Sequence, residues 1–106
     1  MGMGIKIGEK VVPFPIDREY EEASKMFADI VVDGYIHLNI DLFDIDHMSS
    51  RQISVLVMLH KEVIKLSGSI RLINVTDKLY RVFDILNLDK VISIEKLSDS
   101  NPKKQI

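Results

Sequence analysis

The chain has 106 residues, enough for one domain that buries roughly two thirds of its unfolded surface and too few for two. Without cysteine it has neither disulfides nor thiolate metal sites. Its 14 basic and 16 acidic side chains, a formal net charge of -2, argue against the clustered positive surface that nucleic-acid binding requires.

The longest apolar run, Val55 to Leu59, is far short of the ~20 residues of a spanning helix. The amino terminus lacks a signal-peptide pattern, and Lys6 stands where a myristoylation signal needs Ser or Thr. A cytoplasmic chain with no direct membrane insertion is therefore expected. Charge is unevenly spread: residues 1–53 carry 5 basic and 10 acidic groups, and residues 54–106 carry 9 and 6. An acidic first half can steer a basic partner, although interspersed charges of this kind more often form solvated faces.

Ile5-Lys6-Ile7 and Lys10-Val11-Val12 flank Gly8-Glu9 and read as a short hairpin or one bent edge strand, ended by Pro13 and Pro15. Asp17 is placed to cap a helix running to about Val31. Glu19, Glu21 and Glu22 stand in its first turn, and Tyr20, Ala23, Phe27, Ile30 and Val31 form its apolar stripe. Asp33-Gly34 turns the chain into Tyr35 to Leu42, where Ile36, Leu38, Ile40 and Leu42 alternate with polar residues. A strand between two helix layers would be apolar throughout, so this alternation predicts helices gathered mainly on one face.

Ile40 to Val75 then reads as strand, polar elbow, long helix, glycine turn and strand. Two strands joined through such a helix must be parallel, with a right-handed crossover. The elbow, Asp46 to Arg51, is thereby placed at the strand's carboxyl end, on the expected crevice side of the sheet. The helix is predicted over about Ser50 to Leu66, with Gly68 suited to a left-handed cap. Ile53, Leu56, Val57, His60, Val63 and Ile64 make its inner face, and Ser50, Ser54, Met58, Lys61 and Lys65 its outer one. Ser69 to Val75 is a strand, Thr76 caps a helix over Asp77 to Leu86 with Leu79, Val82, Phe83 and Leu86 inward, and Asn87 closes it. Val91 to Ile94 is the last predicted strand. One domain over residues 1–106 is expected, with a folded core of about 5–97 and a polar, mobile tail over 98–106.

No phosphate loop, dinucleotide fingerprint, zinc-protease helix or nucleophile elbow is present. His37, His47 and His60 lack second ligands at metal spacing. Asp41, Asp44 and Asp46, which gather at a strand end as magnesium-binding carboxylates do in some folds, lack a partner lysine and fit a solvated acidic loop better. The expectation is a protein that is not an enzyme and has no metal or other cofactor.

Ser49-Ser50-Arg51-Gln52 fits a capping box with Ser49 as N-cap, worth about 1 kcal/mol. Capping accounts for Ser49 and leaves Ser50 exposed, on one face with Ser54 and Met58. A phosphate on Ser50 would meet a helix amino terminus and Arg51, leaving the fold intact while placing about -1.5 to -2 charge on a small-residue surface.

The strand Leu38 to Leu42, the elbow Ile45 to Ser50, and the stretches Ser67 to Val75 and Leu79 to Asp89 are together similar to the STAS domain, the family of sulfate transporters and anti-sigma-factor antagonists. The later stretches lie close to that family's LRLVNVS…VRRVLELTGLD pattern, and the resemblance covers roughly Val11 to Leu97. It implies an α/β fold with a mixed four- to five-stranded sheet and helices mainly on one face. It also implies partner binding rather than catalysis. In anti-sigma antagonists of the family the elbow reads Asp-Ser-Ser/Ala-Gly-Leu-Gly, and its first serine is phosphorylated by a partner that is both kinase and anti-sigma factor. Ser50 matches that serine, Ser49 replaces the aspartate, Arg51 the small residue, and Gln52 and Ser54 the glycines. The resemblance thus implies an anti-sigma factor or serine kinase-like partner, a surface of Ser49, Ser50, Arg51, Ser54 and Met58, and Ser50 as phospho-acceptor or plain contact. The alternative it allows is an accessory STAS subunit of a membrane transporter or of a larger STAS signalling assembly.

Overall fold

The computed structural model describes residue 6 and residues 8–97. Three strand–helix repeats and a final strand follow one another: β1 (Lys10–Pro13), α1 (Tyr20–Val32), β2 (His37–Asp41), α2 (Ser50–Lys65), β3 (Ser69–Val75), α3 (Asp77–Ile85), a 3-10 turn over Leu88–Lys90, and β4 (Ser93–Lys96). The strands lie in the order β1-β2-β3-β4, and every pairing between them is parallel.

That order has a direct consequence for the layers. Right-handed crossovers that always step in one direction return their helices to the same side of the sheet. The burial pattern agrees: Val12, Leu38, Ile40, Ile70 and Leu72 point into the core, while Asn39, Arg71 and Glu95 point away from it. The second face carries a polar ladder in which Asn39 Nδ2 donates to Glu9 Oε1 at 2.7 Å and Arg71 lies 3.7 Å from Glu9 and 4.0 Å from Glu95. Among the described strands the order never reverses, so they form no switch-point crevice of the kind expected for the elbow. The elbow instead stands on an open rim at the carboxyl edge of the sheet.

A mixed sheet is not seen among the described residues. Lys6 pairs with Tyr35 in the same parallel sense as β1 with β2, so the bent-strand reading of the opening fits and the hairpin reading does not. The pairing offset changes by one residue between Lys6 and Lys10, and Gly8, which lies between them, has φ 98°. Ile5 and Ile7, and the expected mobile tail from Ser98, fall outside the described residues.

Several boundaries move for local reasons. Asp17 does not cap α1: the Arg18 N–H donates to the Pro15 carbonyl at 3.0 Å and closes a turn around Ile16 and Asp17, so the N-cap is Glu19, without a side-chain bond. At the end of α2 the left-handed residue is Ser67 (φ 65°), not Gly68. Gly68 N–H donates to Val63 O at 2.7 Å and Ser67 N–H to Ile64 O at 3.0 Å, the paired bonds of a Schellman cap. Gly68 is needed for space, since a Cβ there would stand 2.2 Å from the Ile36 carbonyl oxygen. Asn87 (φ 60°) does close α3, but Leu86 is exposed and the chain makes a 3-10 turn before β4 begins at Ser93.

The core is one cluster. Leu38, Ile40, Leu56, Leu72, Leu79 and Phe83 are fully buried in it, and each large aliphatic side chain stabilises the fold by about 1.5–3 kcal/mol.

Candidate partner-binding surface

The Phe43-Asp44 turn and the extended Ile45-to-Ser49 segment carry the chain from β2 to α2. Ile45 and Met48 are buried on either side of exposed Asp46 and His47, which pins the segment to the core and presents the first turn of α2 to solvent. Asp41 Oδ1 accepts from Phe43 N–H at 2.9 Å and from Asn74 Nδ2 at 3.0 Å. It is thus engaged in shaping the turn. Asp44 holds a left-handed conformation (φ 66°), and among the described residues no three acidic, histidine or cysteine groups gather as a metal site.

The capping box is formed in full. Ser49 Oγ accepts from Gln52 N–H at 3.2 Å, and Gln52 Oε1 accepts from Ser49 N–H at 2.8 Å. Gln52 Nε2 also donates to Ile16 O at 3.2 Å and ties the helix start to the loop before α1. Ser50, at the first helical position, is exposed beside this cap.

The remaining expected residues divide. Arg51 is exposed, with its guanidinium carbon 4.9 Å from the centroid of the Tyr20 ring. Met58 is also exposed, and its Sδ accepts from Tyr20 Oη at 3.5 Å. Ser54 differs: its hydroxyl donates back to Arg51 O at 2.6 Å, so it contributes a small, self-satisfied side chain.

Tyr20 was not singled out by the sequence, where it reads as one residue of the α1 stripe. Half-buried, it stacks under Arg51 and reaches Met58, joining the two ends of the surface. Only the pairing of α1 with α2 across the fold reveals this. Beside it, a polar cleft of about 460 Å³ is lined by Arg18, Glu19, Glu21, Arg51 and Gln52, with charges of both signs. The surface therefore offers an exposed hydroxyl, a stacked guanidinium, an aromatic ring and a thioether. Tyr and Arg are the residue types that most often dominate binding interfaces.

The chain is similar to several known proteins. Residues 15–101 match the STAS domain. Among curated proteins the chain is 39% identical over 62 residues to the anti-sigma-B factor antagonist of Bacillus subtilis (strain 168), an alignment covering 58% of this chain and 57% of that protein. The chain thus spans just over half the length of that relative. Two solved structures of one Thermotoga maritima protein share the fold at 20% identity. An NMR structure gives a TM-score of 0.71 over 94% of this chain and 86% of that one. A crystal structure, provisionally described as an anti-sigma factor antagonist, gives 0.61 over 97% and 85%.

Proposed function

The chain belongs to the STAS domain family, and from that premise we propose that it is a regulatory protein-binding module resembling an anti-sigma factor antagonist. It captures an anti-sigma factor or serine kinase-like protein through Ser50 and the outer face of α2. The division of labour at the elbow carries the reading: Ser49 makes the cap, and Ser50 stands exposed at the helix start with Arg51 next to it and exposed Met58 farther along the same helix.

Phosphorylation of Ser50 is the switch in this reading. The phosphate meets the free N–H groups and positive end of α2, which tolerate it, so the fold persists while the docking surface gains about -1.5 to -2 charge. A desolvated, unpaired charge in the interface costs a few kcal/mol, a hundredfold or more in affinity. The aspartate and glycines of the family's elbow are replaced here by Ser49, Gln52 and Ser54, so the cognate kinase must accept a capped, bulkier acceptor site.

Affinity purification from the native cell with intact-mass measurement tests both parts. The expected result is an anti-sigma or kinase-like partner, a phosphate on Ser50 in part of the population, and an affinity lowered about a hundredfold by Ser50→Asp but not by Ser50→Ala. Recovery of a transporter ATPase, or equal affinity of the Ser50→Asp protein, overturns it.

A further inference from the structure

A groove of about 370 Å³ runs between α1 and α2, away from the elbow cleft. Its origin is in the sequence: Ser24 and Ala28 recur at a step of four on α1, and neither is large enough to fill the space beside α2. The floor is Phe27, Val31, Val55 and Leu59, and the walls are topped by two apolar side chains that solvent should not favour, Val32 at 62% exposure and Met58 at 53%.

We propose that this groove receives an amphipathic helix of the partner, one that sets aliphatic side chains between α1 and α2 and carries lysine or arginine beside them. The proposal rests on the partner-binding reading above and adds the chemistry of the partner. Its first support is continuity: Met58 lines the groove and also accepts the Tyr20 hydroxyl, so the groove extends the surface that begins at Ser50. The second is shape, because the furrow between two helices packed side by side is filled by the ridge of a third helix. The third is charge. Among the described residues the one ionisable side chain lining the groove is Glu62, and the α1 wall carries Glu21, Glu22 and Asp29 against Lys25, which already bridges Asp29 at 3.4 Å, while Lys61 and Lys65 of α2 are not among the residues that line it. Among the described residues Glu62 pairs with exposed Lys65 at 3.5 Å, a weak pairing that a partner's cation can displace.

The test uses the full chain, isotope-labelled, titrated with a leucine–lysine amphipathic peptide of about 14 residues, about 21 Å as a helix, and with its leucine–glutamate counterpart. Binding of the lysine peptide should shift the amides of Ala28, Val32, Val55, Leu59 and Glu62 and leave the polar sheet face unmoved. Ala28→Trp, which fills the groove from an exposed position, should weaken binding about tenfold, and Glu62→Lys should weaken it several-fold with the fold intact by its amide spectrum. Equal binding of the glutamate peptide, shifts away from the groove, or indifference to both substitutions overturns the proposal. Failure of the serine switch reads differently: partner affinity is then indifferent to Ser50→Asp, while the groove amides still respond to the lysine peptide.

Discussion

Ser49 and Ser50 are adjacent and chemically identical, yet Ser49 alone caps the helix and Ser50 stands exposed outside the cap. Ser49→Ala removes one half of the capping box and leaves Gln52 N–H to solvent, so urea unfolding should show a loss of about 1 kcal/mol. Ser50→Ala should change stability by less than about 0.5 kcal/mol, because the replaced hydroxyl is outside the cap. The pair Ser67 and Gly68 gives a similar contrast. Ser67→Gly relieves a left-handed conformation and should stabilise by about 0.5–1 kcal/mol. Gly68→Ala drives a methyl into the Ile36 carbonyl, which itself accepts from Ser69 N–H at 2.8 Å, and should cost at least about 2 kcal/mol in the same measurement. If the two substitutions shifted the midpoint in the same direction, the assignment of conformation to one residue and space to the other would be wrong.

At the scale of elements, α1 does more than cover the sheet. Tyr20, its first residue, meets the first turn of α2 through the Arg51 stack and reaches a later turn through the Met58 thioether. In the partner-binding reading, Tyr20→Ala should weaken association by about 1–2 kcal/mol, measured by calorimetry with the purified partner. Tyr20→Phe keeps the ring under Arg51 and loses only the hydroxyl contact, so it should cost clearly less. Elements with both a helical stripe and a terminal signal were legible in the sequence: α2 begins at Ser50 and α3 at Asp77, as their caps require. Elements whose limits depend on a competing local bond were not. The Pro15 turn took Asp17 from α1, and the 3-10 turn after Asn87 displaced β4 by two residues.

Across the whole molecule one continuous core joins all three helices to one face of the sheet. Leu56, fully buried in it, should cost about 2–5 kcal/mol when replaced by alanine, and the loss should appear in thermal unfolding as a single earlier transition. Hydrogen exchange should then rise in α1, α2 and α3 together. Exchange confined to α2 would mean that the helices unfold independently, contrary to a shared core. The open face of the sheet is held by exposed polar pairs that contribute little, so Arg71→Ala should leave that transition nearly unchanged.

By itself the sequence determined the parallel strand–helix–strand unit, the single covered face and the capped elbow, because periodicity and caps are properties of neighbouring residues. It also carries the similarity to the STAS domain. Only the tertiary structure decided that the strand order never reverses, that Tyr20 joins Arg51 to Met58, that the Ser54 hydroxyl turns inward to its own helix, and that Ser24 and Ala28 leave a groove. Each of these depends on which elements become neighbours in space, and that is settled by how whole faces pack, not by the spacing of residues along the chain.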